Sequence, residues 1–338
     1  MKNKKCEFYI GMDVHKRFTA YAVRNKEGDL VLEGSCATNC KDIFEVLEPY
    51  LFSCMAGLES NTEVYPIYDG FKDKSLDVRV ANTIQLRTLV GKNDPLDAKR
   101  LSDMLRLGTF PCSYIPEEKI RSLRNVVKVR HNMREACTKI QVQIRALIRM
   151  HGLSMPPGDS FTKRWCASLE GHIALQKGGL ELRYLYDMYT FEHAKLEQVT
   201  NEMIHLVRSS FPKEFEALGN RQGIGDVLAS YFISQICPIN RFKSEKSLRR
   251  YAGVIPCKEE SAGKTYSTCL PKTTSRGILR WAFVEAAHCM SLCDDKIKAY
   301  YRKKKKEKKI SGTAMMAVAR CACDIVYKIL TSIQVHHV

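Results

Sequence analysis

Alternating strand-like and helix-like stretches across residues 1–112, heptad-spaced apolar residues across 113–210 and mainly helical spacing across 211–338 predict three domains. The fold class expected is an α/β domain of RNase H-like order, then a long helical coiled-coil insertion, then a mainly helical C-terminal domain. A chain of 338 residues has room for that division.

Phe8–Val14 is a short, mostly apolar run with an acid at its end, and reads as the first strand. Thr19–Val23 and Leu30–Gly34 flank the turn-rich Asn25-Lys-Glu-Gly-Asp29 and read as a hairpin. A helix over Asp42–Leu51 leads to a strand over Cys54–Glu59. A helix over Val64–Lys72 leads to a strand over Asp77–Ala81, and a further helix runs from Asp94 to about Leu107. Three strands in a meander followed by this alternation is the order of an RNase H-like domain.

Beyond Pro116 the period changes. Met133, Cys137, Ile140, Ile144 and Leu147 recur at spacings of four and three, which marks a coiled-coil seam on a helix reaching His151. Gly152–Gly179 reads as an interruption, after which Leu196, Val199, Met203 and Leu206 form a second stripe. Two long helices folded onto each other, or onto another subunit, account for both. Phe211-Pro212 marks the next boundary, and the run Lys303–Lys309 reads as a lysine-rich link between helices, either solvated or brushing a phosphate backbone.

Lys and Arg total 54 against 37 acidic residues, a net charge of +17. Such an excess suits a polyanionic partner, because each phosphate contact releases condensed counterions; a ribosomal or anionic-membrane role is the bland alternative. With no run of about 18 apolar residues and no signal-peptide pattern at the start, a cytoplasmic protein is expected, with no membrane partner. The 14 cysteines include no CxxC pair. Free thiols are therefore expected rather than disulfides or a structural zinc site.

Four acids stand where a metal site would need them. Asp13 closes the first strand and Glu59 the fourth, so neighbouring parallel strands would hold both at one sheet edge. Asp94 and Asp97, three residues apart, share one face at a helix start. Oxygen ligands of this kind suit Mg²⁺ or Mn²⁺ and phosphoryl transfer. Asp94-Pro-Leu-Asp97 also reads as plain helix-start chemistry, with an N-cap acid and Pro in the first turn. Asp13 alone could end a strand and Glu59 alone could be solvated; their combination and order favour the metal site.

Arg221-Gln-Gly223-Ile-Gly225-Asp226 resembles the turn of a helix-hairpin-helix, whose two glycines bring backbone N–H groups to a phosphate; an ordinary interhelical turn is the alternative. Farther on, Ser261 lies in a small-residue turn close to Lys264, with Lys272, Arg276 and Arg280 downstream. Those cations could hold a scissile phosphate. No base adjacent in sequence activates the serine, so from chemistry alone Ser261 also reads as an ordinary loop residue.

The ordered set Ile10-Gly-Met-Asp13-Val-His-Lys16, Gly57-Leu-Glu59-Ser, Lys92-Asn-Asp94-Pro-Leu-Asp97-Ala, Gly223-Ile-Gly225, Tyr251-Ala-Gly-Val-Ile-Pro256 and Ser261-Ala-Gly263 resembles the DEDD transposases of the insertion-sequence one-ten family. The resemblance spans about residues 8–300. It implies a RuvC-like domain, a coiled-coil insertion and a C-terminal transposase domain. It further implies recombination of donor and target DNA, guidance by a noncoding bridge RNA, and assembly as a tetramer. By motif, Asp13, Glu59, Asp94 and Asp97 would bind metal, and Ser261 would form a transient phosphoserine bond to DNA. Asn93 replaces the family's usual Thr, and Ala262 separates Ser261 from Gly263, which leaves Ser267 as a second candidate nucleophile. Two other functions compete: a Holliday-junction-type endonuclease using metal-activated water, and a non-catalytic nucleic-acid-binding relative.

Overall fold

The computed structural model describes residues 6–83, 85–86, 98–174, 179–255, 257–261, 264–269, 277–308 and 311–335. It separates into two compact units, residues 1–116 and 117–338. The first is mixed α/β and the second almost wholly helical.

In the first unit, β1 (Phe8–Val14), β2 (Phe18–Asn25), β3 (Leu30–Ala37), β4 (Cys54–Leu58) and β5 (Asp77–Val80) form one sheet in the order β3-β2-β1-β4-β5. The first three strands pair antiparallel, whereas β4 lies parallel to both β1 and β5. The hairpin turns where expected, because the Asn25 side-chain oxygen accepts from the backbone N–H of Gly28 and of Asp29, each at 2.8 Å. Gly28 supplies the positive φ of 106° that this turn requires.

Helix α1 (Cys40–Leu47) starts on an Asn39 cap and stops earlier than its apolar pattern predicts. Pro49 has no N–H to continue the ladder, and Glu48–Ser53 tightens into a 3₁₀ turn. Together with α2 (Val64–Asp73), α1 covers one sheet face, burying Ile43, Leu47, Val64, Ile67 and Phe71 against Ile10, Met12, Ala56, Leu58 and Val80.

The opposite face takes α3 (Ala98–Arg106), with Leu101, Leu105 and Phe110 in its core. This contact depends on missing side chains. A Cβ on Gly11 would lie 2.0 Å from the Ala98 carbonyl oxygen and 2.5 Å from the Ser102 nitrogen. Gly57, the register partner of Gly11, makes the same room for Leu105 and Phe110. Lys99 also ties the first turn of α3 to Glu33 on β3, at 2.8 Å.

In the second unit, α4 (Glu118–Met150) and α6 (Gly179–Ser210) are long helices running antiparallel. Ile140, Ile144 and Ile148 share a cluster with Leu182, Tyr186 and Tyr189. Leu123 and Val127, near the start of α4, share another with Met203 and Val207, near the end of α6. The seam differs in detail from the heptad expectation. His131 and Ile148 are buried where Met133 and Leu147 are only partly covered, and Val207 is buried while Leu206 is exposed. A seam packed against several helices follows their positions and not an ideal heptad.

The expected interruption at 152–179 contains a helix, α5 (Lys163–Ala174), which packs Trp165 and Leu169 into the long pair. Pro156-Pro157-Gly158 masks it in the sequence, but Thr162 caps it by accepting from the Trp165 N–H at 3.3 Å. Residues on both sides of 210 then share one core, which runs through α7 (Pro212–Gly219), α8 (Asp226–Ile236), α9 (Glu245–Ala252), α10 (Gly277–Cys293) and α12 (Ser311–Val335). A two-stranded hairpin, β6 (Cys257–Ser261) with β7 (Lys264–Cys269), interrupts the helices.

The lysine-rich run is not a link. Residues 303–308 lie inside α11 (Asp295–Lys308), because lysine is a good helix former and the flanking Ile297, Tyr300 and Tyr301 pack on the core. Among the described residues no helix is long and apolar enough to cross a membrane.

Gly11→Ala is expected to destabilise the first unit by about 3 kcal/mol, since the clash is with helix backbone. Gly171→Ala, in open space within α5, is expected to be neutral or to stabilise by up to about 1 kcal/mol. Urea unfolding of both variants checks the contrast.

Candidate active site

The ladder between β1 and β4 pairs Met12 with Leu58. The Glu59 N–H then donates to the Met12 carbonyl at 3.2 Å, carrying the pairing one residue farther. Asp13 and Glu59 therefore stand side by side at the C-terminal ends of neighbouring parallel strands. Alternation along the strands turns Ile10, Met12 and Val14 to one core, and puts Gly11, Asp13, Gly57 and Glu59 on the face that carries α3. The Asp13 side chain is 16% exposed, and Glu59 is half-buried.

His15 had no role in the sequence reading, yet its Nε2 lies 3.1 Å from Asp13 Oδ2. Its backbone is fixed on several sides: His15 N–H donates to the Phe18 carbonyl at 2.9 Å and Thr38 Oγ1 donates to the His15 carbonyl at 2.7 Å. The Asn61 side-chain amide donates to the Val14 carbonyl beside it. The only sequence signal for His15 was its place two residues after a strand-end acid, on the same side of the chain.

Asp94 and Asp97 lie outside the described residues. Ala98, which follows Asp97 in sequence, is described, and its carbonyl sits over Gly11. Among the described residues no group of three or more His, Cys, Asp or Glu side chains could hold a metal ion. Asp13 and Glu59 supply oxygen donors of the type a hard divalent cation takes, and two carboxylates suit part of such a ligand set.

In the second unit, Ser261 ends β6 and Lys264 begins β7, and the two are partners in the strand register. The sequence placed Ser261 in a turn; it is the last residue of strand β6. Lys272 and Arg276 lie outside the described residues, and Arg280 is half-buried on α10.

The turn between α7 and α8 gives its two glycines different tasks. Gly223, at φ 89°, has no room for a side chain, because a Cβ would meet Met290 Cγ at 2.6 Å and the Met290 backbone nitrogen at 2.9 Å. Gly225 is exposed, has nothing within 4 Å of a built Cβ, and begins α8 without a side-chain cap. The uncapped N–H groups suit an anion, although Asp226 adds a carboxylate there, paired with Arg208 at 2.8 Å. Arg221 binds Asp294 at 2.6 Å. Asp294 also caps the lysine-rich α11 by accepting from the N–H groups of Lys296 and Ile297 at 2.9 and 3.1 Å. One carboxylate thus joins the glycine turn to the basic helix.

Comparison with known proteins finds two family models along the chain. Residues 10–151 match a model for DEDD transposases of IS110 type, described as Transposase. Residues 216–302 match the Transposase IS116/IS110/IS902 family. The Sinorhizobium fredii protein y4qE, which carries a transposase name, is 26% identical over 180 residues, 52% of this chain and 42% of its own. The 44.8 kDa protein of insertion element IS116 from Streptomyces clavuligerus is 26% identical over 115 residues, 34% of this chain and 29% of its own. The aligned segments thus span less than half of these curated relatives.

Gly223→Ala should cost about 3 kcal/mol in urea unfolding, and Gly225→Ala about 1 or less. The Asp294 carboxyl is held below the ordinary aspartate range, chiefly by the Ile297 N–H; burial opposes this as the next-largest effect, and Arg221 and the Lys296 N–H add to the lowering. A lowered folded-state value means that its stabilisation is complete above the ordinary value and is lost as pH falls through the lowered one. Asp294→Ala should therefore cost about 2 kcal/mol at neutral pH, and the difference from wild type should shrink below about pH 4. A cost unchanged at low pH would refute this account of the residue.

Proposed function

This chain belongs to the IS110 family of transposases, and from that premise we propose that it joins the ends of an insertion element to target DNA through a carboxylate metal site and a serine nucleophile. The observation that carries this reading is the placement of Asp13 and Glu59 together at the end of the parallel β1–β4 pair, on the face covered by α3. The strand order 3-2-1-4-5, with β1 antiparallel to β2 and parallel to β4, supports an RNase H-like, RuvC-like domain as the scaffold.

In this proposal Asp13, Glu59, Asp94 and Asp97 hold Mg²⁺ or Mn²⁺. The bound cations would supply charge neutralisation at the scissile phosphate. His15 holds the Asp13 carboxylate in one orientation through its contact at 3.1 Å. Backbone support for the acidic edge comes from α3, whose position on Gly11 fixes the chain just after Asp97.

Ser261 Oγ would attack the phosphorus, forming a serine–phosphate ester as the bond to the departing 3′ or 5′ oxygen breaks, with the serine proton released. The reverse attack by a DNA hydroxyl reseals the strand and returns the serine, so no external energy source is required. Gly223, Gly225, Lys264, Lys272, Arg276 and Arg280 are the proposed nucleic-acid contacts. Donor and target DNA, a noncoding bridge RNA and a tetrameric assembly complete the proposal, with the paired helices α4 and α6 as the coiled-coil element. The net charge of +17 supports polyanionic partners.

A recombination assay in cells, with a marked donor and a target plasmid, tests this reading. Junctions should fall below about one-hundredth of wild type in both Ser261→Ala and Asp13→Ala. An SDS-stable protein–DNA adduct should form with wild type and not with Ser261→Ala. Junctions that persist in Ser261→Ala would eliminate the covalent serine step and leave metal-dependent hydrolysis as the alternative.

A further inference from the structure

Helix α10 carries two thiols along one edge of its last turns. Among the described side chains three cysteines are exposed, Cys112, Cys289 and Cys293. Cys112 lies in the first unit, whereas Cys289 and Cys293 stand four residues apart on α10. Residues at that spacing are neighbours on one helix face. The Cys293 Sγ donates to the Cys289 carbonyl at 3.1 Å, which turns this sulfur back along the helix toward Cys289. The two thiols also interact. Partial burial raises Cys289 above the ordinary thiol value, and Glu285 and Cys293 add to the rise.

We propose that Cys289 and Cys293 form a chelating site for a soft, two-coordinate metal ion of the Cu(I) type. A disulfide needs Cβ atoms about 3.5–4.5 Å apart, and side chains one helical turn apart hold theirs at about 5–6 Å. Two metal–sulfur bonds of about 2.3 Å each place the sulfurs about 4.6 Å apart when the ion lies between them. The helix is thus too wide at this spacing for a direct sulfur–sulfur bond and suits one interposed ion.

Among the described residues no third donor joins the pair, since no group of three or more His, Cys, Asp or Glu side chains could hold a metal. His288 is exposed, but it is adjacent to Cys289 in sequence and leaves the helix about 100° away from it. Glu285, one turn before Cys289, is paired with Arg134 at 3.7 Å. Structural zinc takes four donors, so a zinc site is poorly served here, and thiolate pairs select soft ions such as Cu(I).

Binding breaks two S–H bonds and forms two Cu–S bonds, releasing both protons to water. The ion keeps its oxidation state, and its single positive charge with two thiolates leaves one net negative charge on the site. The location gives the bridge a structural consequence. The pair flanks Met290, against which Gly223 is seated, and Cys293 precedes Asp294, the cap of α11. An ion held there braces the point where the glycine turn, α10 and α11 meet. The proposal is independent of the chemistry assigned to Asp13 and Ser261.

The test uses the full chain, reduced and kept free of oxygen, with Cu(I) supplied from its coloured bicinchoninate complex. Wild type should withdraw one equivalent of Cu(I), with an affinity at least about a hundredfold above that of Cys289→Ser or Cys293→Ser, because either change leaves a single thiolate. Cys112→Ser should match wild type, which separates the site from the remaining thiols. Trypsin places Cys289 and Cys293 together, without another cysteine, on peptide 281–296. One equivalent of Cu(I) should slow N-ethylmaleimide labelling of that peptide by about tenfold. Oxidised glutathione should leave its two cysteines separately modified and never joined. Equal Cu(I) affinity in wild type and both serine variants, unchanged labelling of 281–296, or a disulfide between Cys289 and Cys293 would overturn the proposal.

Discussion

Gly11 and Gly57 lie side by side on β1 and β4, and helix α3 rests its backbone on the bare patch they leave. Packed interiors leave little slack, so a methyl group at 2.0 Å from the Ala98 carbonyl cannot be absorbed by a rotamer change. The helix must move or the sheet must bend. Asp13 and Glu59 each follow one of these glycines by two residues, on the same side of the sheet. The contact that seats α3 thus also determines how near the chain passes to the acidic edge. In the first unit, packing and candidate chemistry share a single surface.

The second unit depends on a different constraint, the burial of α8. All its residues from Leu228 to Ile236 are buried, so its last carbonyls have no solvent to satisfy them. Two arginines do so. Arg124 donates to the carbonyls of Ser234 and Gln235 at 2.9 and 3.2 Å, and Arg241 to those of Gln235 and Ile236 at 2.7 and 3.1 Å. Positive charge at a helix C-terminus is favourable in its own right. Nearby, Arg130 donates to the Tyr231 hydroxyl at 3.1 Å, and Arg134 lies 4.5 Å over the Trp281 ring. His131 is buried among these rings, where loss of water lowers its affinity for a proton. Several cations of this basic chain are therefore structural, and the net charge overstates those free to meet phosphate.

Much of the first unit could be read from the sequence, because strands and amphipathic helices carry their periodicity locally. β1 runs over Phe8–Val14 as expected, and β4, β5 and α2 differ from expectation only at their ends. The parallel neighbours carrying Asp13 and Glu59 were also legible, since strand order follows from the alternation. His15 was not, because its contact with Asp13 depends on a loop held by Thr38 and Asn61, distant in sequence. Helix α5 was hidden by the prolines before it, and the β6–β7 hairpin by its setting among helical patterns.

The sequence by itself determined the basic character of the chain, its resemblance to a family, the order of its elements and the positions of its candidate acids. These are properties of composition, local period and motif, and need no partner surface to be expressed. Tertiary structure decided which apolar residues of the long helices face inward, because that depends on α5, α8 and α10 packing from several sides. It also separated the two glycines of the α7–α8 turn, placing Gly223 against Met290 and leaving Gly225 exposed at a helix start. The two residues look equivalent in sequence. Only the approach of a helix more than sixty residues farther along the chain makes one a packing requirement and the other a free N-terminus.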